Sequence, residues 1–184
     1  MSTRGLKGFK YEDKVYGIFN NFDSYPSGLG VEMVKILQEV LKVDINSIYE
    51  NIKNLIVVKP EEDDSDDLYE YSQTDNYILD LLTGKTNTLL DGLEFIYNSL
   101  FCEYAYIIDF DDKTLKLYRG FQKEPQEGNI FGENHDHAGY YPCAYIGSIN
   151  FDFIKAYPSE KVLELIQDIV REFDGPDEYD EDEE

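Results

Sequence analysis

The sequence lacks several features that would place it in familiar classes of protein. It has no uninterrupted run of the roughly 18 apolar residues that a membrane-spanning helix requires. Its amino terminus also lacks the apolar core of a secretory signal sequence. These absences predict a cytoplasmic protein that does not cross a membrane.

Cysteine is scarce, and both residues occur in apolar, strand-like stretches. They are Cys102 and Cys143. In a cytoplasmic chain, thiols in such surroundings are far more often reduced and buried than joined to each other. We therefore expect two free thiols and no structural disulfide.

Basic residues are also few, with 16 Lys and Arg against 39 Asp and Glu, which gives a formal net charge of −23. Such a surface repels nucleic acid and anionic membranes and attracts basic protein patches. Fifteen of the acidic residues lie in segments 61–70 and 174–184, which contain no Lys or Arg. We interpret the first as part of an acidic surface insertion, 59–75, and the second as an acidic, disordered tail.

Tryptophan is absent, whereas the sequence contains 16 tyrosines and 11 phenylalanines. A tyrosine combines an apolar ring with a polar tip, so it suits half-buried strands and binding surfaces. We select Asp23, Tyr25, Tyr140 and Tyr141 as candidate binding residues. The expected partner is a protein with a basic surface or a small molecule, with no cofactor and no direct contact with nucleic acid; the oligomeric state is left open.

The hydrophobic pattern predicts an α+β fold. Strand-length segments on either side of short polar turns predict hairpins over 3–22 and 102–121, and 142–153 reads as another strand. Helical spacing is present over 31–41, 47–55, 78–82, 88–100 and from 159 onwards. We expect a largely antiparallel sheet with packed helices, in a single domain over 1–173.

Hydroxyl side chains beside the amino terminus are candidate nucleophiles. A free α-amine on Ser2 or Thr3 would remove the proton from the hydroxyl of the same residue and make it nucleophilic. Arg4 would orient a carboxylate substrate, Asp23 would steady the amine, and Asn20 or Asn21 would help to form an oxyanion hole.

The order of hydroxyl, strand, turn, strand and Asp over residues 3–24 resembles the start of the N-terminal-nucleophile hydrolases, notably proteasome-type subunits. This resemblance implies an amide hydrolase with an N-terminal-nucleophile-like fold. The chain has no aligned counterpart of the catalytic lysine of that family. A longer block, TRG followed by FDSYPSGLG and later by CEYAYIIDFD and LYRGF, resembles uncharacterised proteins of bacterial and phage genomes.

Two further segments contain residue types that occur in metal and phosphate sites. His135 and His137 lie in one short polar segment and would be the candidate metal ligands, although structural and catalytic sites need three or four ligands on rigid elements. Gly84-Lys85-Thr86 lacks the upstream glycine and the preceding strand of a phosphate-binding loop.

Two functional hypotheses follow from these patterns. The first, which the charge and tyrosine content favour, is an acidic, phage-encoded accessory protein that inhibits or sequesters a host defence protein or a small signalling molecule. The alternative is an N-terminal-nucleophile-type amide hydrolase that uses Ser2 or Thr3.

Overall fold

A computed structural model describes residues 3–62, 66–134 and 138–176. Within these residues the strands are β1 Gly5–Tyr11, β2 Lys14–Asn20, β3 Ile56–Val58, β4 Thr88–Leu90, β5 Tyr104–Asp109, β6 Thr114–Arg119 and β7 Ala144–Asn150. The helices are α1 Val31–Val40, α2 Ile45–Lys53, α3 Asp66–Ser72, α4 Tyr77–Thr83, α5 Phe151–Ala156 and α6 Ser159–Asp174. The longest of these, α6, has 16 residues, and none of the described helices has the length and apolar character needed to cross a membrane.

The main sheet has five strands in the order β2-β1-β5-β6-β7. The β1–β2, β5–β6 and β6–β7 pairs are antiparallel, whereas β1 and β5 are parallel. Helices α1 to α4 occupy the long connection between the two hairpins, so the chain returns to the sheet with β5 in the same direction as β1. The α+β prediction is confirmed, with a mixed sheet in which only this central pairing is parallel.

Alternation along the strands gives the main sheet two buried faces. Phe9, Tyr106 and Leu117 point to the helices and join the larger core. Leu6 and Ile107 point the other way, into a smaller core beneath the 3-10 helix Leu93–Tyr97 and the loop before β7.

The smaller core also contains both thiols. Cys102 and Cys143 are fully buried and free, as the sequence predicts. Burial raises the pKa of the Cys102 thiol well above its ordinary value. A thiolate at this position is therefore disfavoured, and the residue acts as a core side chain.

The structure corrects two predicted elements. The helix expected over 88–100 is wrong, because Thr88–Leu90 pairs with Ile56–Val58 in a small parallel sheet and only Leu93–Tyr97 turns, as a 3-10 helix. The strand expected over 142–153 ends at Asn150, whose side chain accepts the Phe153 N–H and caps α5.

The two acidic segments are described in part. The segment 59–75 contains a 3-10 helix, Pro60–Glu62, and all of α3, while residues 63–65 lie outside the described ranges. Helix α6 ends at Asp174, at the start of the predicted tail, and residues 177–184 also lie outside the described ranges.

Carboxylates join the tips of the two hairpins. Asp111 accepts hydrogen bonds from the backbone N–H groups of Glu12 and Asp13, at 2.8 and 3.0 Å. These two residues have φ values of 50° and 63°, as a two-residue type I′ turn requires. The Asp111 carboxylate also lies 3.2 Å from the Lys10 amine. Burial opposes its charge, but these hydrogen bonds outweigh that effect and lower the pKa of Asp111.

Asp109 is the buried centre of this cluster. Its side chain is completely buried, and Oδ1 accepts the backbone N–H groups of Asp111 and Asp112. Its Oδ2 lies 2.9 Å from the Lys116 amine and 3.6 Å from the Lys10 amine. Burial opposes the charge of Lys116, but its hydrogen bonds to Asp112 and Asp109 raise its pKa above the ordinary value. The cluster therefore holds two cations against one buried anion.

Asp109→Ala is expected to lower the free energy of unfolding by about 3 kcal/mol, because it leaves two partly buried lysines without their shared carboxylate. The control is Asp112→Ala, which removes the more exposed carboxylate that pairs with Lys116. This change is expected to lower the free energy of unfolding by about 1 kcal/mol or less. Urea denaturation monitored by circular dichroism measures both. Equal losses of stability in the two variants would show that the buried Asp109 carboxylate stabilises the fold no more than the exposed Asp112 carboxylate does.

Candidate binding groove

Asn20, one of the residues predicted for the N-terminal site, lies beside the start of β1, because β1 begins where β2 ends and Gly5 is paired to Asn20. The Asn20 amide donates hydrogen bonds to Phe22 O at 2.6 Å and to Ser24 Oγ at 2.8 Å. Ser24 is fully buried, and its N–H donates to Thr3 O at 3.0 Å. Both hydrogens of the Asn20 amide therefore hold the loop after β2.

The same loop is also bonded to strand β5 of the main sheet. The Tyr106 hydroxyl donates to Ser24 O at 2.8 Å. A Cβ atom on Gly5 would lie 2.7 Å from Ser24 Cβ, so only glycine permits this approach. Arg4 is exposed, and its carbonyl accepts the Glu103 N–H. These contacts hold the loop after β2 against the start of β1. The hydrolase interpretation stays a prediction, because Ser2 lies outside the described residues.

The predicted binding residues lie on two separate segments. Asp23 and Tyr25 follow β2, both are exposed, and a hydrogen bond to the Asp23 carboxylate raises the pKa of the Tyr25 hydroxyl. Tyr140 and Tyr141 precede β7, where the Tyr141 N–H donates to Gln122 O at 2.9 Å.

The candidate metal ligands, His135 and His137, lie outside the described residues. Among the residues that are described, no group of three His, Cys, Asp or Glu side chains is arranged to hold a metal ion.

A buried lysine lies at the centre of another cluster of titratable groups. Lys7, in β1, is only 3% exposed, and its amine donates to Thr74 O at 3.3 Å. Burial lowers the pKa of Lys7 to about 8, although Glu32 and Asp75 attract its charge. Burial, together with a hydrogen bond and repulsion from Asp75, raises the pKa of Glu32 to about 7. The cluster joins β1, α1 and the α3–α4 junction, and the Lys7 amine within it is closed to solvent.

Glu32→Gln tests this cluster through pH. The folded state holds the Glu32 proton up to about pH 7, whereas the ordinary pKa is 4.5. The folded state therefore binds more protons in this interval, and wild-type stability falls as the pH rises through it. The stability of the variant relative to the wild type should therefore be greater above pH 7 than it is below pH 4.5. Urea denaturation across this range measures the difference, which also depends on Lys7, Lys35 and Asp75.

The control for this experiment is Glu39→Gln on the same helix, because Glu39 is exposed and paired with Lys42. It should follow the pH dependence of the wild type. A constant difference between Glu32→Gln and the wild type at every pH would contradict the assignment.

The outer edge of β2 is covered by backbone and amide groups. Gly17 O accepts the Gly92 N–H at 2.8 Å, and Phe19 O accepts the Gln73 amide at 2.7 Å. The Gln73 carbonyl in turn accepts the Asn21 N–H at 2.9 Å. These bonds protect the edge of the sheet from pairing with another strand.

Two adjoining cavities lie along this protected edge, with volumes of about 340 and 240 Å³. They share Phe19, Pro60, Asp91 and Gly92, and we call them together the β2-edge groove. The other lining residues of the larger cavity are Lys59, Glu61, Glu94, Phe95 and Asn98. Those of the smaller cavity are Ile18, Tyr69, Ser72, Gln73 and Leu90.

Close backbone packing positions the aromatic part of the groove. The Phe19 and Phe95 rings meet edge to face, with centroids 4.9 Å apart. A Cβ atom on Gly92 would lie 2.5 Å from the Phe19 nitrogen, so the 3-10 helix approaches β2 only through glycine. The groove therefore has a fixed apolar wall.

Carboxylates border the larger cavity. Glu61 and Glu94 are exposed, and Asp91 is held by the hydrogen bond that its Oδ1 accepts from the Leu93 N–H at 3.0 Å. Within the described ranges none of these three forms an ion pair, and Lys59 is the single basic residue that lines the groove. Apolar walls and unpaired carboxylates together suit a ligand that is cationic and partly apolar.

The sequence patterns do not identify this groove. Its walls come from β2, the 59–62 turn, α3 and the chain from β4 to the 3-10 helix, which are distant in sequence. The Asp91-Gly92 pair, which is typical of a turn, was the one local signal, and it fell inside the segment predicted to be helical.

Comparison with protein-family models, with curated proteins and with solved structures found no match for this chain.

Proposed function

We propose that this protein binds a partner protein by capturing a basic, partly apolar segment in the β2-edge groove. The observation that carries the proposal is the combination of the Phe19 and Phe95 rings with the carboxylates of Glu61, Asp91 and Glu94. Protein interfaces gain most of their affinity from aromatic anchors in pockets and gain selectivity from complementary charge.

The charge around the groove supports the same partner. Glu62 and the exposed acidic residues of α3 extend the negative surface beyond the rim; those of α3 are Asp66, Asp67 and Glu70. With a net charge of −23, the whole chain would also accelerate encounter with a basic protein.

We propose that this partner is a host protein. Capture of its basic surface would inhibit or sequester it. Neither step requires a reaction at the amino terminus.

The test uses a fluorescently labelled peptide of alternating basic and leucine residues, with an acidic and leucine peptide as its counterpart. Replacing both Glu61 and Glu94 with lysine turns attraction into repulsion at the rim. We expect the affinity for the basic peptide to fall roughly tenfold, about 1.4 kcal/mol, as measured by fluorescence anisotropy.

The matched control replaces Glu124 and Glu127, two exposed residues of the loop before β7, with lysine. It changes the net charge by the same amount away from the groove and should keep most of the affinity. Equal weakening by both double variants would assign the binding to overall charge, and preference for the acidic peptide would refute the proposal.

A further inference from the structure

The fold already binds one arginine of its own in a setting that resembles the groove. The Arg119 guanidinium lies 4.3 Å from the centre of the Tyr104 ring and 5.3 Å from that of Phe121. Its Nε lies 3.1 Å from an Asp174 carboxylate oxygen, and its Nη1 donates to Glu103 O at 2.9 Å. Two aromatic rings, one carboxylate and one carbonyl therefore satisfy this side chain.

The β2-edge groove contains the same kinds of group, and among the described residues its one basic side chain, that of Lys59, forms no ion pair with them. Phe19 and Phe95 supply the rings, and Asp91 and Glu94 supply carboxylates. Asn98, which also lines the groove, has a buried Oδ1 with no hydrogen-bond donor among the described residues. A buried acceptor without a donor is destabilising.

We propose that the occupant of the groove is an arginine side chain of the partner protein. Its guanidinium stacks on the Phe95 ring and pairs with the Glu94 and Asp91 carboxylates, while its aliphatic stem lies against Pro60. This inference rests on the proposed function, because it names the residue by which the basic segment is recognised.

Arginine fits this set of groups better than lysine does. Its planar guanidinium has five N–H donors, is weakly hydrated and stacks on aromatic faces. A lysine amine is strongly hydrated and acts as a point charge, so it satisfies the rim carboxylates but gains less from the rings. The groove should therefore bind arginine more tightly than lysine, although the two side chains carry the same charge.

Three capped, labelled peptides test this selectivity. They are identical except for one central residue, flanked by leucines, which is arginine, lysine or the neutral citrulline. We expect the arginine peptide to bind about fivefold more tightly than the lysine peptide. The citrulline peptide should bind most weakly because it keeps the shape but loses the charge.

Phe95→Leu removes the aromatic face and should reduce the preference for arginine over lysine towards unity. Phe101→Leu, at a phenylalanine that is 51% exposed outside the groove, is the matched control and should keep the preference. Because Phe95 also packs in the smaller core, Glu94→Gln provides a second variant at an exposed position. It should weaken binding of the arginine peptide and leave citrulline binding unchanged.

The possible outcomes separate the two proposals. Equal affinity for the arginine and lysine peptides, with both above citrulline, would overturn the arginine assignment and leave capture of a basic segment in place. Equal affinity for all three peptides would overturn both proposals. An arginine preference that survives both Phe95→Leu and Glu94→Gln would place the arginine site outside the groove.

Discussion

The parallel pairing of β1 with β5 is the contact on which the rest of the structure depends. It joins Gly5–Lys10 to Tyr104–Asp109 and so places two local hairpins side by side. Parallel pairing is slightly less stable per residue than antiparallel pairing, which gives side-chain contacts at its ends more importance. One end has the Asp109 and Asp111 cluster, and the other has the hydrogen bonds that Ser24 forms with Thr3 and Tyr106.

This pairing also determines where the groove lies. With β1 inside the sheet, β2 becomes an outer strand whose exposed backbone must be protected. Gly92 and the Gln73 side chain protect it at Gly17 O and Phe19 O, from two different segments of the chain. Because the two segments do not close over Phe19, a cavity with one aromatic wall remains between them. The groove is thus a consequence of how the sheet edge is covered.

The sequence predicts the parts of this structure that depend on local pattern. Both hairpins and the burial of the thiols follow from alternating strands and apolar surroundings, which act over a few residues. The 88–100 segment was mispredicted because its leucines also fit helical spacing, whereas Thr88–Leu90 pairs with Ile56–Val58, far away in the chain. The acidic composition indicates the charge of a partner. It does not reveal the groove, because the walls meet only after folding.

The scarcity of basic residues connects the fold with the proposed function. Lys10 and Lys116 are committed to the Asp109 cluster, and Arg119 is committed to Asp174. These pairs neutralise carboxylates that the fold buries or uses at the ends of its elements. The carboxylates beside Phe19 and Phe95 receive no such partner from the described residues, although they border an apolar cavity. The proposed capture of a basic segment rests on this contrast between carboxylates that the fold pairs and carboxylates that it leaves unpaired.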